Sequence, residues 1–328
     1  MIISRTPFRI SFFGGGSDFP EFYRDHPGCT LSTTIDKYCY ISLHYLSPFF
    51  KFKFRASYAK TETVMKADEF QHPLIRECLR YLPTEHGLEI SHVSDLPGRT
   101  GLGTSSSFTV GLLNALHEIR HDKNTSGDTL AAEAILIERE RVGDIGGHQD
   151  QYAAAHGGFL RIDYQGKQAR INRPALSAKR LAQLKQHLQL FFMGTERTSD
   201  AILQDQKKRT VLNIPALERM AAMAGRAQSI LERDSTLLEF GELLDEAWRL
   251  KKSLANGISN KAVDEAYEAA RSAGALGGKL LGAGGCGFIL IFAPPEKQDK
   301  IRAQLAHLME VPFNFSPEGS RIIFKDPE

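Results

Sequence analysis

Four stretches of the 328-residue chain hold residue types and spacings that could do chemistry. The first is Leu96-Pro-Gly-Arg-Thr-Gly-Leu-Gly-Thr-Ser-Ser-Ser107, where Gly98, Gly101 and Gly103 precede four hydroxyl residues and an apolar helical pattern through Phe108, Leu112, Leu116 and Ile119. Glycines let successive N–H groups converge, and converging N–H groups at a helix start form an anion site suited to a phosphate chain. A plain glycine turn with a hydroxyl cap is the alternative. The segment is not a Walker A loop, since Gly103 is followed by Thr104 and no Lys. The second stretch, Glu138-Arg-Glu-Arg-Val-Gly-Asp-Ile-Gly-Gly-His-Gln-Asp150, carries two carboxylates of interest. Ala131, Ile135, Glu138 and Val142 share one helical stripe, so Glu138 is an ionisable group on an apolar face, where carboxylates go only with a partner or a metal. Asp150 follows a glycine-rich turn and is placed to open a helix, as a cap or as an active group.

Two further stretches imitate known signatures. Gly282-Ala-Gly-Gly-Cys-Gly287 fits GxGxxG, but a dinucleotide site needs a helix after it. Phe288-Ile-Leu-Ile-Phe-Ala-Pro-Pro follows instead and reads as a buried strand. His117-Glu-Ile-Arg-His121 fits the HExxH zinc signature, with Glu118 as the base. Asp122-Lys-Asn-Thr-Ser-Gly127 ends that helix at once, and His117, Arg120 and His121 suit the negative end of a helix, the reading preferred here to a zinc hydrolase.

The elements that must position these groups follow from periodicity. Ile2–Phe13, Tyr38–Ser47, Phe49–Ser57 and Leu88–Val93 read as strands, Ser105–Arg120 and Asp128–Val142 as helices, and Phe159–Tyr164 with Gln168–Asn172 as a hairpin. Beyond them, helices are expected near 177–187, 198–210, 214–233, 235–254 and 260–273, and strands at Leu188–Phe192, Gly287–Phe292 and Arg321–Phe324. The character of the chain changes around 173–180. We therefore expect an α+β fold in two domains, 1–176 and 177–328.

A composition of 42% hydrophobic and 24% charged residues excludes disordered and disulfide-scaffold classes, and a net charge of +2 without a basic arm argues against nucleic acid as partner. The cysteines Cys29, Cys39, Cys78 and Cys286 show no CxxC spacing, so inert thiols in a reducing compartment are expected. No run of 18 apolar residues occurs, and Arg5 and Arg9 interrupt any signal-like start. A cytoplasmic protein without a membrane partner is the expectation, with homo-oligomerisation left open.

Pro7-Phe-Arg-Ile with Gly14-Gly-Gly-Ser-Asp18, then Gly101-Leu-Gly-Thr-Ser-Ser, then Gly282-Ala-Gly-Gly-Cys-Gly resemble the three ordered motifs of the GHMP small-molecule kinases. Cys286 departs from the run of glycines usual in the third motif. The likeness is greatest to the members acting on D-glycero-D-manno-heptose 7-phosphate, through Phe13-Gly-Gly-Gly-Ser-Asp18, Ile35-Asp-Lys-Tyr-Cys-Tyr, Gly147-His-Gln-Asp-Gln-Tyr-Ala-Ala-Ala-His-Gly-Gly-Phe and Gly278-Lys-Leu-Leu-Gly-Ala-Gly. The resemblance implies a ribosomal-protein-S5-domain-2-like N-terminal domain and a ferredoxin-like C-terminal one. It implies ATP and Mg²⁺, a nucleotide-phosphate loop over Pro97, Gly98, Gly101, Leu102, Gly103, Thr104, Ser105 and Ser106, and Ser105 with Glu138 as metal ligands. It makes Asp150 the catalytic base with Arg9 beside it, and gives Gly15, Gly16, Ser17 and Asp18 to the sugar. Lys37, Arg197 and His156 are the basic residues considered for the sugar's phosphate. The implied reaction phosphorylates the anomeric hydroxyl to the 1,7-bisphosphate, towards nucleotide-activated heptose for surface polysaccharide. A kinase for another sugar such as fucose or galactose, or an inactive sugar sensor on the same fold, are the alternatives the resemblance leaves.

Overall fold

A computed structural model of the chain describes residues 1–122, 125–195 and 199–326. In chain order the elements are β1 (Ile2–Phe13), α1 (Pro20–Tyr23), β2 (Gly28–Tyr45), β3 (Phe54–Ser57), β4 (Thr61–Val64), α2 (Pro73–Tyr81), β5 (Leu88–Ser94), α3 (Thr104–Ile119), α4 (Gly127–Ile135), α5 (Gln149–His156), β6 (Phe159–Gln165) and β7 (Gln168–Asn172). The second half adds α6 (Ala178–Gln186), β8 (Leu188–Phe192), α7 (Ser199–Lys208), α8 (Ile214–Glu232), α9 (Leu238–Ser253), α10 (Lys261–Ser272), β9 (Gly277–Leu280), β10 (Phe288–Phe292), α11 (Gln298–Gln304), β11 (Met309–Glu310) and β12 (Arg321–Lys325).

Two sheets organise them. Eight strands form a mostly antiparallel sheet in the path β12-β1-β2-β5-β3-β4, with β6 and β7 joined to β2 through β6. The other sheet has the order β11-β8-β10-β9, all antiparallel, which is the ferredoxin-like arrangement. The resulting fold is α+β in two sheet-centred parts, as expected. The chain does not stay in its second half, however. Arg321–Lys325 returns to pair with Ile2–Arg5 of β1, and Phe315 bridges to Ile35, so the last strand completes the first sheet. An edge strand finds its partner by hydrogen bonding and not by proximity in sequence.

The core runs unbroken between the parts. Phe12 of β1 stacks on Phe159 of β6 and meets the edge of Phe240 of α9, which in turn packs on Phe292 of β10. These rings pack the second sheet and its helices against β1, beside the cavity between them.

Sequence and structure differ where burial overrides pattern. β2 begins at Gly28, ten residues earlier than expected, because Gly28–Ile35 is buried on both faces and shows no alternation. Phe49–Ser57 is a strand only from Phe54, paired to β4. The helix expected over Asp128–Val142 stops being α-helical after Ile135 and continues as one π-helical turn, Leu136–Arg141, with Val142 N–H donating to Ile137 O. Among the described residues no helix is long and apolar enough to cross a membrane.

Candidate active site

A cavity of about 400 Å³ opens between the two sheet-centred parts, walled by β1, the glycine loops and α3 on one side and by α7, α9 and β9 on the other. The phosphate loop is its best-defined wall. Gly103, with φ +73°, is the N-cap of α3, so the free N–H groups of the first turn at Thr104, Ser105 and Ser106 face the cavity region. Gly101, φ +82°, leaves no room for a Cβ against Leu281 O, and Gly282 leaves none against Gly101. The third glycine motif therefore braces the phosphate loop backbone to backbone, then runs into β10 as a buried strand. Cys286 belongs to this brace, its thiol donating to Met193 O at 3.1 Å.

Arg9 fastens the loop from below. Its N–H donates to Leu102 O at 3.0 Å and its Nη1 to Gly101 O at 2.5 Å. Its Nε and Nη2 grip Asp150 in a two-pronged pair, 2.7 Å to Oδ1 and 2.8 Å to Oδ2. Asp150 lies in the first turn of α5, inside the helix, while His148 holds the N-cap position without a side-chain cap bond, so Asp150 is not the cap considered for it. Asp150 Oδ2 stands 3.4 Å from where a Cβ at Gly103 would be, which brings the carboxylate under the phosphate loop.

Glu138 is 1% exposed yet lines the cavity. Its Oε2 accepts from Ser106 Oγ at 2.9 Å and from Gln151 Nε2 at 2.6 Å, while Oε1 is buried without a hydrogen-bond partner. Burial pushes its carboxyl above the ordinary range, against the lowering pull of Arg139. An orphaned carboxylate oxygen beside serine hydroxyls is a hard-oxygen donor set of the kind Mg²⁺ takes. The serine bonded to Glu138 is Ser106, while Ser105, the serine expected as a metal ligand, is exposed on the same cavity wall. The π-helical turn carrying Glu138 is a feature such sites often use, and no simple periodicity reveals it.

Several expected residues sit elsewhere. Pro97 and Gly98 are exposed and outside the cavity lining, and the Leu102 side chain is in the core, leaving Gly101 and Gly103–Ser106 as the loop proper. Ser17 is fully buried beneath the first glycine loop, donating to Gly14 O and Cys29 O, so it shapes the loop and does not face the cavity. Asp18 does line the cavity, though its Oδ1 accepts from Gly16 N–H and its Oδ2 from Gln149 N–H, which ties the loop to the start of α5. Burial pushes the Asp18 carboxyl up. Lys37 is away from the cavity because the register of β1 against β2 slips from Pro7–Tyr38 to Phe8–Ile35, which bulges Asp36 and Lys37 out of the ladder. His156 pairs with Asp128, 3.0 Å, outside the cavity. Arg197 lies outside the described residues.

The HExxH string makes no metal pair. His117 ends α3 with Nδ1 on Asp122 and Nε2 on Glu133, and His121 lies beyond the helix in a left-handed conformation, φ +56°. Among the described residues no cluster of His, Cys, Asp or Glu could hold a metal by itself.

The sequence reading missed a polar floor beneath the glycine loops: Ser11, Gln149, Gln206, Lys251 and Lys279. A signal existed for Lys251, which falls on the buried stripe of α9 with Leu244, Ala247 and Trp248, the same anomaly that marked Glu138.

A glycine loop over a helix start, an arginine-clamped aspartate and a buried cavity-facing glutamate, set between these two sheets, are the architecture of a small-molecule phosphotransferase. Residues 71–158 match the pattern described as GHMP kinases N terminal domain, and residues 206–311 match GHMP kinases C terminal. The chain belongs to the GHMP kinase family, as an ATP-dependent phosphotransferase that acts on an alcohol group of a small-molecule sugar. It is 28% identical, over 97% of both chains, to D-glycero-alpha-D-manno-heptose 7-phosphate kinase of Campylobacter jejuni. It is 30% identical over 67% of its length to the bifunctional fucokinase/GDP-fucose pyrophosphorylase of Arabidopsis thaliana, of which that match spans 21%. A crystal structure of a D-glycero-D-manno-heptose 1-phosphate kinase from Bacteroides thetaiotaomicron shares the fold over the whole of both chains, at a TM-score of 0.81 and 24% identity.

Proposed function

We propose that this protein transfers the γ-phosphoryl group of ATP to the anomeric hydroxyl of D-glycero-D-manno-heptose 7-phosphate, giving the 1,7-bisphosphate and ADP. The observation that carries a sugar-hydroxyl kinase is Asp150, clamped by Arg9 directly beneath the phosphate loop. The likeness to the Campylobacter jejuni heptose 7-phosphate kinase over nearly the full length supports the choice of sugar.

In this reading the N–H groups at the start of α3 bind the nucleotide's phosphate oxygens. Asp150 takes the proton from the sugar hydroxyl as its oxygen bonds to the γ-phosphorus and the bond to ADP breaks. Arg9 orients that carboxylate and, with the loop N–H groups, offsets the negative charge of the transferring group. Gly15 and Gly16 leave backbone room for the sugar, with Asp18 holding the loop that frames it. Glu138 with the hydroxyl of Ser105 or Ser106 would hold Mg²⁺, which supplies charge neutralisation at the nucleotide's phosphates.

The test is ADP release measured across heptose 7-phosphate, hexose 6-phosphates and the free sugars heptose, fucose and galactose. The expected outcome is a kcat/KM for heptose 7-phosphate at least tenfold above every other acceptor. A free sugar at the top of that ranking would transfer the assignment to that sugar.

A further inference from the structure

The floor of the cavity contains more charge than the fold needs. Lys251 of α9 and Lys279 of β9 are each 6% exposed and both reach the cavity wall. Each ammonium has three donors. Lys279 Nζ donates to Phe12 O at 3.1 Å and Lys251 Nζ to Gln206 Oε1 at 3.4 Å. Among the described residues neither forms an ion pair with a carboxylate, although Asp18 is near enough for its charge to be felt by both. A buried cation without an anionic partner is costly, and two beside each other more so.

The polar atoms around them are also unsatisfied. Ser11 Oγ, Gln149 Oε1 and Gln206 Nε2 are buried without hydrogen-bond partners, and all three residues line this cavity. The glycines of the first motif keep the space beside them open: a Cβ at Gly16 would come within 2.7 Å of Gln206 Nε2, and one at Gly15 within 3.7 Å of Ser11 Oγ. Two ammonium groups, an amide donor and a hydroxyl, dry and converging on one space, match the oxygens of a phosphate group. The surroundings come from β1, the first glycine loop, α7, α9 and β9, and none of these bonds involves the start of α3, where the nucleotide's phosphates have their own donors.

We propose that Lys251 and Lys279, with Gln206 and Ser11, form the subsite for the phosphate group carried by the sugar substrate. The inference rests on the sugar-phosphate kinase reading above and assigns to that substrate's phosphate residues that replace Lys37, Arg197 and His156. It makes the enzyme select a phosphorylated sugar over the free sugar by supplying the anion that the buried ammonium groups lack.

The experiment uses the full chain with Lys251→Met and Lys279→Met, substitutions close in length that remove a buried charge, so the melting temperature should hold or rise. KM for heptose 7-phosphate should increase on the order of 10–100-fold in each, the worth of a charge-assisted contact, while KM for ATP moves less than about threefold on that scale. The preference for heptose 7-phosphate over free heptose should collapse by the same factor. Ser11→Ala, which breaks no hydrogen bond of the described fold, should reduce that preference several-fold and serves if the lysine variants do not fold. Equal losses on the phosphorylated and free sugar, or a loss confined to ATP, overturn the proposal. A second arm needs no turnover: inorganic phosphate should raise the melting temperature of the nucleotide-free wild type clearly more than those of the lysine variants, which keep only the loop at the start of α3 intact. If the wild type accepts no sugar phosphate but shows this lysine-dependent phosphate effect, the substrate reading fails and the anion subsite stands. If it turns over heptose 7-phosphate with the variants' preference intact, the subsite fails and the substrate reading stands.

Discussion

The two walls of the cavity present donors suited to phosphate by opposite means. The Gly101–Ser106 loop offers the backbone N–H groups of Thr104, Ser105 and Ser106 at a helix start, with Ser105 exposed. The floor offers side chains from Ser11, Gln206, Lys251 and Lys279, buried and drawn from four elements. A backbone cradle is neutral and costs little to leave empty. A pair of dry ammonium groups is destabilising until an anion arrives, so it discriminates strongly between a charged and an uncharged ligand. The difference would suit the two substrates proposed: a nucleotide held at the backbone loop, and a small sugar distinguished by its one phosphate.

The sharpest way to probe the boundary between these walls is Asp150, which lies between them. Asp150→Asn keeps an acceptor for Arg9 but cannot take the hydroxyl proton, so turnover should fall on the order of 10²–10⁴-fold. KM for ATP should stay within a few-fold, because the loop N–H groups are untouched. Loss of the charged partner of buried Arg9 should also lower stability by about 1–3 kcal/mol, read from the melting temperature. An Asp150→Asn enzyme with most of its turnover would remove Asp150 as base.

Glu138→Gln separates the nucleotide side from the floor. The amide keeps its shape beside Ser106 and Gln151 but forfeits the charge that Mg²⁺ would meet. Turnover at low Mg²⁺ should fall about 10–100-fold, the range for weakened metal affinity, and added Mg²⁺ should recover part of it. KM for the sugar phosphate should not move. A Mg²⁺ titration superimposable on the wild type would return Glu138 to a structural role.

The smallest effect is one of pH. Burial pulls Lys279 down to about 7 and Lys251 to about 8; Lys251 lowers Lys279 further, Arg9 lowers both, and Asp18 opposes. Between pH 7 and the unfolded value near 10.5, the unfolded chain therefore holds more protons than the folded one, and stability contributed by these groups rises with pH. The melting temperature of the ligand-free chain should climb from pH 6.5 to 9.5, with a shallower climb in Lys279→Met. KM for the sugar phosphate should worsen over the same range as the ammonium groups lose their protons. A pH slope identical in wild type and Lys279→Met would show that Lys279 stays charged without the ligand.

Much of this molecule is local enough to read from the chain. β1, β8 and the hairpin strand β7 begin and end where their patterns do, and α3 is within one residue of expectation, because apolar period and glycine placement act over a few neighbours. The phosphate loop, Asp150 and buried Glu138 are legible for the same reason: each sits in a contiguous motif or breaks a helical stripe. β2 reaches further than its pattern because Cys29-Thr-Leu-Ser-Thr-Thr34 is hydroxyl-rich yet wholly buried, Thr30 meeting the Tyr164 hydroxyl and Thr34 donating to Ser316 O. α2 stands outside the expected elements although Leu74, Ile75, Cys78 and Leu79 share one buried face, because its nine residues give that pattern few turns in which to repeat. The sequence by itself determined the backbone donors, the aspartate and the glutamate, since these depend on neighbours within one turn or loop. Only the tertiary structure decided that the last strand closes the first sheet, that Ser106 bonds Glu138, and that Lys251, Lys279, Gln206 and Ser11 line one cavity. Those contacts join residues up to some hundreds of positions apart, and burial, which alone makes an unpaired ammonium group costly enough to matter, exists only once the sheets and helices have closed around it.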